Sequence, residues 1–163
     1  MVYKFLFDID RCIDCKACEV ACKQQNDVEI GVRWRRVTEI EGGKYPNPSR
    51  TFVSLACFHC SRPPCITACP TKAIYKRADG IVINDESRCI GCGYCGWACP
   101  FAVPEYGSDG LMQKCIACYP RIDKGLDPAC VHTCLTGALA FDTSAEIAKI
   151  QVERATEKVV ISP

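Results

Sequence analysis

The stretch CIDCKACEVAC (12–22) places four cysteines within eleven residues, with the spacing C-x2-C-x2-C-x3-C. The same spacing returns in CIGCGYCGWAC (89–99). A loop with cysteines at i, i+3 and i+6 can wrap a cubane iron–sulfur cluster and offer thiolates to three of its irons, while the next cysteine ligates a neighbouring cluster. The spacing therefore predicts [4Fe–4S] ligation, and it predicts that neither stretch is a closed four-ligand site.

All sixteen cysteines of the chain fall into four quartets. The quartets are Cys12, Cys15, Cys18 and Cys22; Cys57, Cys60, Cys65 and Cys69; Cys89, Cys92, Cys95 and Cys99; and Cys115, Cys118, Cys130 and Cys134. CPTKAI (69–74) echoes CLTGAL (134–139), which indicates an internal repeat of a two-quartet unit. Four thiolates per cubane leave no cysteine over, so the sequence predicts four [4Fe–4S] clusters.

Two other cysteine chemistries compete with this interpretation. Disulfides are disfavoured because the chain shows no secretory signal and its cysteines are too tightly spaced. Structural zinc requires two cysteine knuckles around one tetrahedral ion. The second and fourth quartets alone would allow it, but three cysteines crowd one loop in the first and third. A zinc-stabilised interaction module is kept as an alternative.

Composition limits the kind of protein further. The chain has 163 residues, of which 48% are apolar when its sixteen cysteines are counted. Cysteine alone makes up about 10% of the chain, so the ordinary core is thin and the cysteines must help to hold the interior. The net charge of +1 gives no bias toward nucleic acid or membrane. No export signal or membrane-spanning run is visible, so we expect a cytoplasmic chain without direct membrane insertion or nucleic-acid binding. Periplasmic placement by co-export with a signal-bearing partner is the alternative.

Short alternating and turn-bounded segments predict an α+β protein. Strands are expected at 1–9, 137–141 and 159–161, and strand pairs at 36–56 and 73–85. Helical turns are expected at 16–26, 65–69, 95–99 and 129–134. Thr143 and Glu146 match a capping box, which predicts a C-terminal helix over 144–154.

A basic run, Arg33-Trp34-Arg35-Arg36, is the one segment with the composition of a phosphate groove. Because the whole chain is almost neutral, we interpret this run as a solvated strand or a partner-docking patch.

Three longer stretches carry a family resemblance. They are CFHCSRPPCITACPTKAI (57–74), CIGCGYCGWACPFAVPEY (89–106) and KCIACYPRIDKGLDPACVHTCLTGAL (114–139). Together they resemble the four-cluster iron–sulfur subunit of dimethyl sulfoxide reductase-type molybdopterin oxidoreductases, over roughly residues 3–142. The small polyferredoxin subunit of tungsten aldehyde oxidoreductase complexes is similar in size and type.

The resemblance implies two pseudo-symmetric ferredoxin-like modules with two [4Fe–4S] clusters each, short hairpins and a C-terminal helix. The outer module would comprise residues 1–50 and 105–163, with quartets one and four, and the inner module residues 51–104, with quartets two and three. It also implies four ligand sets that cross between quartets. Set A is Cys12, Cys15, Cys18 and Cys134; set B is Cys22, Cys115, Cys118 and Cys130; set C is Cys57, Cys60, Cys65 and Cys99; and set D is Cys69, Cys89, Cys92 and Cys95.

The resemblance further implies a non-catalytic electron-transfer subunit. Its partner would be a catalytic subunit with a molybdenum- or tungsten-bis-pterin cofactor, in a soluble complex of the dimethyl sulfoxide reductase or aldehyde oxidoreductase type. A flavin/NAD subunit, or copies of the chain in a filament, are further partners that it allows. A stand-alone diffusible polyferredoxin is the other alternative. One departure from the family pattern is that Pro70 and Pro100 follow the inner quartets, whereas Lys23 and Leu135 follow the outer ones.

Overall fold

The computed structural model describes residues 1–161, in which short antiparallel ribbons alternate with short helices. The eight strands are β1 (Tyr3–Phe7), β2 (Arg35–Lys44), β3 (Asn47–Ala56), β4 (Ile74–Lys76), β5 (Val82–Asn84), β6 (Glu105–Tyr106), β7 (Met112–Gln113) and β8 (Leu139–Thr143). The six α-helices are α1 (Ala17–Asn26), α2 (Pro64–Ala68), α3 (Tyr94–Ala98), α4 (Tyr119–Ile122), α5 (Ala129–His132) and α6 (Ser144–Ile161). The strands pair as β1–β8, β2–β3, β4–β5 and β6–β7. This is the predicted α+β class. No helix in this part of the chain is long and apolar enough to cross a membrane.

The β1–β8 ribbon joins the two ends of the described chain. Phe5 lies opposite Phe141, and their rings are 4.6 Å apart. Helix α6 follows at once, and Thr143 Oγ1 accepts the Glu146 N–H at 3.4 Å, as the capping box predicts. The strands predicted near 1–9 and 137–141 are therefore confirmed.

The predicted strand at 159–161 is wrong, because α6 continues to Ile161 and does not end near 154. No Gly or Pro interrupts the sequence from Ser144 to Ile161. A helix that has already formed propagates at little cost, and this outweighs the modest preference of Val and Ile for strands.

The hairpins predicted at 36–56 and 73–85 are confirmed as β2–β3 and β4–β5. Asp79 Oδ1 accepts the Ile81 N–H at 3.1 Å in the β4–β5 turn, next to the left-handed Gly80. The β6–β7 hairpin is not predicted by the sequence, because two-residue strands are too short to show an alternating pattern.

The two C-x2-C-x2-C loops have the same backbone form. Asp14 and Lys16 are left-handed in the first loop, with φ of 58° and 56°. Gly91 and Gly93 occupy the matching places in the second, with φ of 67° and 80°. Each loop follows a short 3-10 helix, Ile9–Arg11 or Glu86–Arg88, whose capping aspartate accepts a backbone N–H. Two different sequences therefore build one loop shape, one of them without glycine.

The apolar core is small and is partly made of cysteine. Its largest buried groups combine cysteines with aliphatic side chains: Cys18, Val37, Cys130 and Leu139 in one, and Ile74, Val82, Cys95 and Met112 in another. The expectation that cysteines help to fill the interior is confirmed.

Candidate metal centres

Three cavities in the structure are each lined by one complete ligand set. Set A lines one cavity, set C a second and set D a third. The cysteines of each set thus surround a space. A single zinc ion would instead draw its thiolates to within about 2.3 Å of one point. Within residues 1–161, no three His, Cys, Asp or Glu side chains converge in that way. The cavities therefore fit a cluster of several irons.

Set B forms the most deeply buried group of cysteines. All four of its members are buried: Cys22, Cys115, Cys118 and Cys130. The Asn26 amide nitrogen links two of them, at 3.9 Å from Cys22 Sγ and 3.6 Å from Cys118 Sγ. The structure thus brings together all four members of each predicted set.

Burial makes a free thiolate unfavourable at these positions. It raises the pKa of Cys115 to about 12 and that of Cys65 to about 11. It also raises the pKa of Cys22 far above its usual value, and the nearby Cys115 and Cys130 add to this effect. Iron ligation requires the thiolate, so cationic iron must supply the charge that water cannot.

Four helices each connect cysteines of two different sets, either within the helix or across its C-terminal end. Cys18 and Cys22 lie four residues apart on α1, and one belongs to set A and the other to set B. The pair Cys130 and Cys134, in and just after α5, connects the same two sets. Helices α2 and α3 connect sets C and D in this way through Cys65 and Cys69, and through Cys95 and Cys99. On α1 the spacing of four residues puts both cysteines on one helix face. In the other three cases the second cysteine follows within two residues of the helix end, so sets A and B are neighbours, as are C and D.

The pair of sets A and B lies next to the pair of sets C and D. Cys57 of set C lies close enough to Cys115 of set B to raise its pKa. Set B is therefore the member of the outer pair that lies next to set C. Cys15 of set A and Cys92 of set D are the exposed cysteines, so these two sets reach the surface.

Proline explains why α2 and α3 stop at a point where α1 continues. Cys69 and Cys99 precede Pro70 and Pro100, adopt extended backbone angles and end α2 and α3. The residue before a proline avoids helical angles, so these helices stop there. Cys22 precedes Lys23, and α1 continues to Asn26. The absence of a proline after Cys22 permits the extra turn that brings the Asn26 amide to set B, although it does not require one, since α5 also lacks a following proline and ends at His132.

Several protein N–H and O–H groups lie near the cysteine sulfurs. The closest N–H donors are on Ala73 to Cys69 at 3.3 Å, Ala117 to Cys115 at 3.3 Å and Met112 to Cys89 at 3.5 Å. The Tyr106 hydroxyl is 3.5 Å from Cys95 Sγ. Burial alone would raise the pKa of Cys69, but its hydrogen bonds to Thr71, Ile74 and Ala73 lower it. Such donors stabilise charge on sulfur and raise the reduction potential of a cluster held there.

Two buried cations were missed at the sequence level. Arg35 is only 3% exposed, so its interpretation as part of a solvated strand or docking patch is wrong. Along β2, Arg35 and Val37 point to the buried side, a strand alternation that the basic composition hides. Lys114 is 1% exposed, lines the cavity of set C and donates to the Cys115 carbonyl at 3.1 Å. No pattern in the sequence indicates that Lys114 is buried.

The fold and these centres define the class of a multi-cluster iron–sulfur protein. The family profile described as "4Fe-4S dicluster domain" matches residues 49–144. One subunit of the anaerobic dimethyl sulfoxide reductase of Haemophilus influenzae is 43% identical over 149 residues, covering 85% of this protein and 73% of the relative. The formate dehydrogenase iron–sulfur subunit of Wolinella succinogenes is 39% identical over 178 residues, covering 95% and 88%. The thiosulfate reductase electron transfer subunit PhsB of Salmonella typhi is 44% identical over 144 residues, covering 85% and 74%.

The chain belongs to this family of iron–sulfur subunits with a 4Fe-4S dicluster domain. Its cofactors are four [4Fe–4S] clusters, and it is a non-catalytic electron-transfer subunit. The predictions of cofactor and of role made from the cysteine spacing and the resemblance are confirmed.

Proposed function

We propose that the chain carries electrons through four [4Fe–4S] clusters, held by sets A to D, to or from a catalytic subunit with a molybdenum- or tungsten-bis-pterin cofactor. The observation that carries this proposal is that three separate cavities are each walled by the four cysteines of one set. When bound, each cluster accepts and releases one electron. The neighbouring sets form the series A, B, C, D, and the protein keeps water from set B, whose four cysteines are buried.

Electrons enter and leave at the two ends of this series. Sets A and D contain the exposed cysteines Cys15 and Cys92, whereas set B is wholly buried. Large apolar side chains are exposed at both ends, with Leu135 83% exposed beside set A and Trp97 84% exposed beside set D. Exposed apolar groups of this kind are typical of protein-docking surfaces. A redox partner at each end would bury them.

The division into an outer module (1–50 and 105–163) and an inner module (51–104) is part of the proposal. Its support is the shared backbone of the two C-x2-C-x2-C loops and the pairing of helices, α1 with α5 and α2 with α3. The β2–β3 ribbon crosses the boundary and connects the two modules.

The partner and compartment are also proposed. The names of the relatives describe subunits of dimethyl sulfoxide, formate and thiosulfate enzymes, which supports a fixed catalytic partner. The net charge of +1 favours this over a diffusible polyferredoxin. Cluster ligation requires reduced cysteines, which the cytoplasm maintains. Cell fractionation, described below, tests co-export to the periplasm. The subunit composition and the size of the purified complex test a flavin/NAD subunit and a filament of copies.

Anaerobic purification of the native complex tests the proposal. We expect about sixteen irons and sixteen sulfides per chain, because each of four cubanes contains four of each. We also expect a co-purifying subunit that contains molybdenum or tungsten. Stoichiometric zinc would support the interaction-module alternative, and an iron-loaded chain without any partner would support the diffusible carrier. Cell fractionation of the same complex assigns its compartment.

A further inference from the structure

Arg35 is a buried cation without a carboxylate partner. It is the first residue of β2, and its guanidinium lies over the Phe5 ring, 5.3 Å from the ring centre. In the described part of the chain, no Asp or Glu oxygen lies within 4.0 Å of it. Burying an unpaired charge is strongly unfavourable. Something other than a carboxylate must therefore balance this charge.

The groups around Arg35 are cysteines of sets A and B. On one side, Arg35 Nη1 donates to Ser54 Oγ at 3.0 Å, and this oxygen is 3.6 Å from Cys18 Sγ of set A. Because the Ser54 oxygen accepts from the guanidinium, its own proton is free to point at the sulfur. On the other side, the guanidinium lies close enough to Cys115 and Cys130 of set B for its positive charge to act on both sulfurs. One guanidinium therefore lies beside cysteines of two sets, A and B.

The guanidinium also has an unused donor. Arg35 Nε is buried and has no hydrogen-bond partner among the described residues. Buried donors of this kind are rare in native proteins and require an acceptor. Cluster sulfur held by the surrounding cysteines is an acceptor that the iron–sulfur assignment supplies.

We propose that Arg35 is the shared counter-charge of the two outer clusters and raises the reduction potentials of both, an inference that rests on the ligand sets of the proposed function. A cluster that accepts an electron gains one negative charge. A fixed positive charge nearby, in an interior with little water, stabilises the reduced form more than the oxidised form. Sets C and D lack this guanidinium, so their potentials are set by other groups.

The test is an EPR-monitored redox titration of the cluster-loaded complex with Arg35→Gln and Arg35→Lys. With Arg35→Gln, we expect two of the four clusters, those in sets A and B, to become at least tenfold harder to reduce, which is a fall of about 59 mV for one electron. The potentials of the other two should stay unchanged. Arg35→Lys keeps the charge and should retain most of the wild-type potentials.

Arg50→Gln is the matched control. Arg50 lies on β3 of the same ribbon, is exposed, and pairs with Glu39 and Glu41. Removing it takes away the same charge at the surface, where solvent screens it, so all four potentials should remain at the wild-type values. Unchanged potentials in a fully loaded Arg35→Gln protein, or a shift confined to sets C and D, would overturn the proposal.

Arg35→Gln can also block loading. In that case we expect loss of the outer clusters only, and recovery of the full iron content with Arg35→Lys. Equal loss with Arg35→Lys, or loss of the inner clusters, would show that the charge is not what matters. Failure of the proposed function would give a different result, because the wild-type protein itself would then not contain four clusters.

Discussion

The outer pair of ligand sets, A and B, and the inner pair, C and D, use related cysteine loops in different surroundings. Set B is wholly buried, and the outer pair shares the buried charge of Arg35. In the inner pair most cysteines are partly exposed, Lys114 lies beside set C, and the Tyr106 hydroxyl lies beside set D. The cysteine spacing therefore determines where clusters can form, whereas the neighbouring side chains differentiate them. We expect the four clusters to have distinct potentials.

The largest expected effect comes from replacing the last cysteine of a quartet, which is predicted to ligate the cluster of the neighbouring set. Cys22→Ser should damage the cluster of set B and leave that of set A, although Cys22 is in the first quartet. Cys99→Ser should likewise damage set C and leave set D. Serine is a poor iron ligand compared with a thiolate, so we expect loss of one EPR signal and about four irons per chain. Iron analysis and EPR of both variants check this.

Together, Cys22→Ser and Cys99→Ser also test whether the outer and inner pairs share the same crossing of ligands. If either variant lost the cluster bounded by the other three cysteines of its own quartet, the crossing of ligands between quartets would be wrong for that module.

A second effect, on stability, tests the shared loop shape. Gly93→Ala should cost about 1 kcal/mol, because its φ of 80° disfavours a side chain although nothing obstructs the new carbon. Gly91→Ala should cost more, because its Cβ would lie 2.7 Å from the Gly110 carbonyl oxygen. Urea unfolding of the loaded, anaerobic proteins measures both.

Lys16→Gly is the control from the outer loop. Lys16 has a φ of 56°, so glycine there should relieve strain and leave stability unchanged or slightly higher. Equal losses for Gly91→Ala and Gly93→Ala would contradict the geometry of the inner loop.

A smaller effect is expected at set B from Asn26→Ala. The Asn26 amide lies 3.6 Å from Cys118 Sγ, and its loss removes one donor near a negative sulfur. We expect the potential of this cluster alone to fall, by less than the roughly 59 mV of a tenfold change. Redox titration measures it, with the exposed neighbour Gln24→Ala as the control on the same helix. A shift at set C or D would argue against the assignment.

The smallest effect is expected at set D from Tyr106→Phe. The hydroxyl is 3.5 Å from Cys95 Sγ and 3.2 Å from the Gly93 carbonyl, so it divides its single proton between two acceptors. Its removal should lower only the potential of set D, and by less than at set B. Tyr75→Phe, at an exposed position on β4, is the control. A larger shift than with Asn26→Ala would reverse the expected ranking.

Much of this architecture could be predicted from the sequence, because cysteine spacing and turn residues act locally. The hairpin at Asp79-Gly80 and the helical turns after the cysteine loops follow from such signals. Burial of Arg35 could not be predicted in this way, since it depends on which face of β2 meets the cysteines of α1 and α5. The helical state of 159–161 was missed because propagation from Ser144 outweighs local strand preference. The crossing of ligands between quartets came from the resemblance and stays a prediction.

The most direct test of the central claim is anomalous diffraction at the iron edge from crystals of the loaded, anaerobic complex. We predict four separate clusters in this chain, in the order A, B, C, D, each bound by the four cysteines of one set. Cys22 should ligate the same cluster as Cys115, Cys118 and Cys130. A cluster bound by Cys12, Cys15, Cys18 and Cys22 together, or single ions that scatter at the zinc edge, would contradict this account.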